Sequence, residues 1–245
     1  MIDPEKMFSQ EIYADQVRNY RKNGEQGIRT SGIEIDEILV KELTLSNADQ
    51  RNGVTIIARP SNEVLEEIKR LQDHLFKIEP DQYYYPGQDL HMTVQEVSFD
   101  KSSAEVKAIL DKLKDPLSSI MDDLPGPVIE TPVLGFDQKG CALNFVPHDR
   151  ALQWLRELLR ERLEGVGIQP QSRYLPSSAH VSFFRYLQPI KMDKDQWADY
   201  LIKTRSNVNV RWTISDLFIT WGANWYGRRH PIHEIGPFRT IPSAS

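Results

Sequence analysis

Hydrophobic positions along this chain follow two rhythms, one of period two and one near 3.6. Val54-Thr55-Ile56-Ile57-Ala58 is short and β-branched and ends at Pro60, which predicts a buried strand. Ser61 or Asn62 then opens a helix, because Val64, Leu65, Ile68, Leu71 and Leu75 recur at helical spacing. Leu90 to Phe99 alternates as a strand. Ser102 or Ser103 starts a second helix through Val106, Ile109, Leu110 and Leu113, with Pro116 just beyond it.

The second half repeats this order. Val128 to Phe136 and Ala142 to Val146 read as strands around the turn Gln138-Lys139-Gly140. Asp149 caps a helix carrying Leu152, Leu155, Leu158, Leu159 and Leu163, stopped by Gly165 and Gly167. Ala179 to Tyr186 is a strand and Lys194 to Arg205 a helix. Val208 to Trp212, Asp216 to Asn224 and Ile232 to Phe238 complete the strands. Mixed elements in two similar halves, without a Gly-rich nucleotide loop, predict an α+β fold of two lobes.

Residues 1–50 differ. They hold ten acidic and six basic residues, most of the whole-chain net charge of −5. Tyr13 to Tyr20 and Glu34 to Leu45 read as short helices, with Asn23-Gly24-Glu25-Gln26-Gly27 as a breaker between them. The expected organisation is an N-terminal, mostly helical extension or lid (1–50) on a two-lobed domain (51–245).

At 245 residues the chain can bury a sizeable core without staples. Lys+Arg 30 against Asp+Glu 35 argues against a nonspecific duplex-binding surface, while leaving room for a small basic pocket. A single cysteine, Cys141, excludes an internal disulfide and a Cys-cluster zinc site. No apolar run suggests a signal peptide or a membrane span, so the expectation is a cytoplasmic protein without a membrane partner.

Two of the six histidines share a local pattern, His91-Met92-Thr93 and His180-Val181-Ser182. With Ser and Thr at 26 of 245 positions, two such hits arise by chance in roughly one protein in eight, so context must carry the weight. Both lie in strand-like alternation. Residues i and i+2 share a face, so each strand offers an imidazole beside a hydroxyl. His91 and Thr93 point one way, as do His180, Ser182 and Phe184. Splitting a phosphodiester needs one proton taken from water and one given to the leaving oxygen. Two imidazoles can do both near neutral pH, each worth ~10²–10⁴-fold. Two hydroxyls can hold the non-bridging oxygens. No metal or cofactor is required.

The motifs His91-Met92-Thr93-Val94 and His180-Val181-Ser182-Phe183 resemble those of the two-histidine (2H) phosphoesterases, which include the LigT-like cyclic phosphodiesterases. The resemblance covers roughly residues 51–240, and Arg185 matches an Arg found five residues after the second His. It implies two pseudo-symmetric lobes with antiparallel sheets flanking a central cleft, and one motif strand in each. It implies a metal-independent hydrolase of cyclic or 2′-linked phosphodiesters of nucleotides or short RNA ends. His91 and His180 would be catalytic, and Thr93, Ser182 and Arg185 would bind substrate. Two departures stand out. Gln95-Glu96 follows the first motif where LigT-like proteins often carry a basic residue. Arg185 sits at an odd offset from His180, so an unbroken strand would turn it away from the site. A non-catalytic nucleotide- or RNA-binding module and a 2′-5′ RNA ligase are the alternatives.

Tyr85, Phe184 and Tyr174 are candidates for stacking on a base, or for core packing. Arg228-Arg229-His230-Pro231-Ile232-His233 is the most basic run and reads as a solvated loop more than a phosphate contact. His74 and His148 read as structural, and Cys141 as buried packing.

Overall fold

The computed structural model describes residues 10–45, 52–113, 117, 126–170, 178–222 and 230–235, the last segment by its backbone only. Tyr174, Arg228 and Arg229 lie outside the described residues. The helices are α1 (Gln10–Ser31), α2 (Glu37–Thr44), α3 (Asn62–Phe76), α4 (Ser103–Leu113), α5 (Ala151–Gly165) and α6 (Lys194–Lys203). The strands are β1 (Gly53–Ala58), β2 (Tyr83–Tyr84), β3 (Met92–Ser98), β4 (Val128–Asp137) and β5 (Gly140–Pro147). They continue with β6 (Ala179–Arg185), β7 (Trp212–Thr213), β8 (Leu217–Gly222) and β9 (His230–Ile235).

All strand pairs are antiparallel. One sheet runs in the order β7-β4-β5-β6-β3-β1-β8-β9, with β2 also paired to β6. The motif strands β6 and β3 are adjacent at the centre; β5, β4 and β7 extend outward from β6, and β1, β8 and β9 from β3. The two halves meet along β6, which pairs with β3 at Met92–Val181 and with β2 at Tyr83–Arg185 and Tyr84–Phe184. The fold is α+β, as expected, and the halves fuse into one sheet at this seam.

Local signals place the helices as read. Ser61 accepts from the Val64 amide at the start of α3, and Asp193 accepts from Asp195 N–H at 2.8 Å at the start of α6. Ser102 and Glu105 form a reciprocal capping box before α4, with Ser102 N–H donating to Glu105 Oε2 at 2.9 Å. Val64, Ile68, Leu71 and Leu75 of α3 are fully buried, as are Leu152, Leu155, Leu159 and Leu163 of α5. These stripes cover the sheet and exclude water from its core.

The N-terminal segment departs from expectation in one respect. Gly24 and Gly27 do not break a helix; α1 runs through both for 22 residues. A glycine inside a helix costs about 1 kcal/mol against alanine. Here close contact repays it: a Cβ on Gly24 would lie 1.9 Å from the Phe136 carbonyl oxygen of β4. The missing side chain lets helix and strand touch backbone to backbone. Tyr13, Ile28 and Leu39 are buried, so this segment contributes its own core residues. Asp36 Oδ1 caps α2 by accepting from Leu39 N–H at 3.0 Å.

Candidate active site

Met92 and Val181 are buried and pair across the seam. Alternation then sends their neighbours to the opposite face, where His91, Thr93, His180 and Ser182 are all half-buried. Met92–Val181 is the one residue pair of β3 with β6; continuing an antiparallel register from it would set His91 toward Ser182 and Thr93 toward His180. In that register each imidazole would face the other strand's hydroxyl, and the two histidines would be diagonal neighbours. A regular ladder puts such diagonal Cβ atoms roughly 7–8 Å apart, a span that suits one phosphate between two ring nitrogens.

The histidines are held differently. His91 immediately precedes β3, and its Nδ1 lies 2.8 Å from the Asp89 carbonyl oxygen. A carbonyl only accepts, so Nδ1 carries the hydrogen. Asp89 closes the one-turn 3-10 helix Gly87–Asp89. Arg59 straps this turn by donating to the Gln88 and Leu90 carbonyls at 2.7 and 3.1 Å. His180 sits opposite Asn144 of β5. Burial pushes its pKa down to about 4, helped by the charges of Arg156 and Arg185 and opposed by Asp137. Its ring is therefore neutral at pH 7, with a lone pair available to take a proton.

Arg185 reaches the same face through a break in strand register. On β5, Cys141 opposes Phe184 while the next residue, Ala142, opposes Ser182. Phe183 is the extra residue of this β-bulge, and the alternation shifts by one beyond it. Phe183 and Phe184 both turn inward, and Arg185 turns toward His180. This resolves the odd spacing seen in the sequence. It also corrects the expectation for Phe184, which is fully buried and packs edge-on against Tyr84 and Tyr186 at 5.2 and 5.0 Å. No face of its ring is open to a base. Tyr85 likewise offers no stacking platform: it is buried, packs edge-on against Tyr83 at 5.0 Å, and its phenol hydrogen-bonds Arg185. Arg185 Nε is buried and has no hydrogen-bond partner within the protein.

Arg156 is a residue that motif reasoning missed. It lies on α5 beneath the motif strands and is buried. Its Nε donates to the Val94 carbonyl at 3.0 Å and its Nη2 to the Ser178 carbonyl at 2.7 Å, so it ties β3 to the entry of β6. It also hydrogen-bonds Tyr13 of α1. One signal could have found it: Arg156 occupies the apolar stripe of α5, four residues after Leu152. A charge on a buried stripe needs partners.

A cavity of about 630 Å³ opens beside β6. His180, Ser182 and Arg185 line one side, and Gln16, Val17 and Tyr20 of α1 line the other. The volume is that of a small-ligand site. His91 and Thr93 lie across the seam and are not part of its lining. Among the described residues, no group of three or more His, Cys, Asp or Glu could hold a metal ion. None of the described helices is long and apolar enough to cross a membrane. The Cys141 thiol is buried, which raises its pKa and leaves it inert packing. His148 meets Glu130 at 3.1 Å, away from the site.

No family model and no curated protein matches the sequence. Solved structures do. A conserved protein of unknown function from Agrobacterium tumefaciens str. C58, ATU0111, superposes with a TM-score of 0.52 at 11% identity, covering 76% of this chain and 86% of that one. TT0787 of Thermus thermophilus gives 0.50 at 13% identity, covering 76% and 98%. E. coli LigT in apo form gives 0.49 at 14% identity, covering 76% and 96%. Over about three quarters of its length the chain thus shares the fold of ATU0111 and TT0787.

Proposed function

We propose that this protein is a phosphodiesterase that hydrolyses cyclic or 2′-linked phosphodiesters of nucleotides or short RNA ends without a metal. The observation that supports this reading is the Met92–Val181 pair, which joins the strand that His91 precedes to the strand that carries His180. On this reading the two imidazoles and two hydroxyls act on one phosphate held at the β3–β6 seam.

His180, neutral at pH 7, takes a proton from the attacking water. The new O–P bond forms as the opposite P–O bond breaks. His91, protonated at Nε2, delivers its proton to the leaving 2′ or 3′ oxygen. Thr93 and Ser182 donate hydrogen bonds to the non-bridging oxygens, where negative charge grows in the transition state. Arg185, with its unpartnered Nε, adds a cationic contact. The expected ligand is a nucleotide or a short RNA end, with no duplex partner.

The test is direct turnover with chelator present. A panel of 2′,3′-cyclic nucleotides, cyclic-phosphate RNA ends and 2′-5′ dinucleotides is incubated with wild type, His91→Ala and His180→Ala. Each substitution is expected to lose at least ~10² in rate with an unchanged circular dichroism spectrum. Full activity in either folded variant would overturn the assignment. Ligand binding without any turnover would make the site a recognition module.

A further inference from the structure

We infer that α1 closes the cleft on the His180 side and limits the substrate there to a single nucleoside. The protein then prefers cyclic mononucleotides and the shortest 2′-linked units over the ends of longer chains. This rests on the phosphodiesterase reading above and adds a substrate class to it.

Three observations carry the inference. First, the lining of the cavity beside β6 includes Gln16, Val17 and Tyr20, so α1 forms part of its wall. Its volume of about 630 Å³ admits one small ligand. In a 2′,3′-cyclic end, the rest of an RNA chain leaves through the 5′ oxygen of that nucleoside. A nucleoside seated against α1 leaves that chain no path through the wall.

Second, the wall is fixed. Gly24 meets the β4 backbone without a gap. Arg21 donates to the Leu201 and Ile202 carbonyls at the end of α6. Arg29 pairs with Asp199 at 2.6 Å. Beyond the helix, Glu34 N–H donates to the Gln138 carbonyl at 2.6 Å, and Gln138 Nε2 donates back to the Gly32 carbonyl at 3.0 Å. These ties anchor α1 and its C-terminal exit to three separate places on the domain.

Third, the inner face of α1 has chemistry that suits a base. Gln16 and Tyr20 stand four residues apart on one face of the helix and both line the cavity. Tyr20 is 37% exposed, and its hydroxyl is fixed by donating to Asp137 Oδ2 at 2.9 Å. A held, open aromatic face stacks on a base regardless of its identity. The amides of Gln16 and Asn144 offer both donors and acceptors to base edges.

The experiment is a length series on the full chain. The substrates are a 2′,3′-cyclic mononucleotide and oligonucleotides of two, four and eight units with the same cyclic end. The expected result is a fall in kcat/KM of about tenfold or more between the mononucleotide and the tetramer. Val17→Trp, which fills the cavity, is expected to raise KM for the mononucleotide about tenfold while kcat holds. The wild-type series decides the matter if that variant does not fold. Equal kcat/KM at every length would overturn the wall while leaving the phosphodiesterase reading intact. No cleavage at any length would overturn both.

Discussion

The β3 half and the β6 half of the sheet carry the same His-x-hydroxyl pattern, yet their histidines have unlike surroundings. His91 is oriented by a backbone carbonyl in a single turn that Arg59 straps in place. His180 stands within the sheet, beside a cavity, with Arg156 and Arg185 nearby. The first arrangement fixes a tautomer. The second fixes a charge state, because burial and two cations favour the neutral ring. Two titratable groups of one type can take opposite roles when their environments separate them. That is the basis for proposing His180 as base and His91 as acid.

The sharpest way to break this comparison is to change the leaving group. A nitrophenyl leaving group departs without a proton, so it makes a general acid unnecessary. His91→Ala should lose ~10²–10⁴-fold on a 2′,3′-cyclic nucleotide and less than about tenfold on a nitrophenyl phosphodiester. His180→Ala should lose heavily on both. The reverse pattern would exchange the two roles.

Phe184→Ala is the next largest effect, and it falls on stability. Removing this buried ring should cost about 3–5 kcal/mol, read by urea denaturation, with KM unchanged for the molecules that fold. A raised KM at unchanged stability would return Phe184 to the substrate face. Arg156→Met should cost about 1–3 kcal/mol for each carbonyl left without a donor, and it should also raise the pH at which His180 titrates, since a positive neighbour is lost. Arg156→Lys retains charge and should keep that pH closer to wild type.

The smallest effect is a displacement between two pH profiles. The acid limb of kcat/KM reports the free enzyme, where the His180 pKa is held at about 4. A bound phosphate anion favours the protonated ring, so the acid limb of kcat should lie at higher pH. Coincident limbs would mean that the phosphate does not sit beside His180.

Much of this was legible in the sequence, for reasons of periodicity. The α3 and α5 stripes obey one helical rule along their whole length, and both motif strands alternate. Three features were not legible. The β-bulge at Phe183 leaves no mark, since Phe183 and Phe184 are equally good core residues and either reading satisfies composition. Gly24 and Gly27 carry breaker chemistry locally, and only the approach of β4 makes them helical. Arg156 was hidden because a charged residue on a helix usually reaches water, whereas this one is turned inward by the carbonyls it serves. Each miss is a case where a partner distant in sequence overrode a local preference.

The pairing of β1 with β8 has a consequence for biosynthesis. Ile56 lies opposite Ile219, so β1 waits for a partner strand that is made well after it. Until then β1 has only β3 beside it, and its other edge of unpaired amides and carbonyls faces solvent or other chains. The half-site around His91 therefore reaches its final form only after the His180 half has emerged. Truncations before residue 217 should yield aggregation, even though neither histidine is removed.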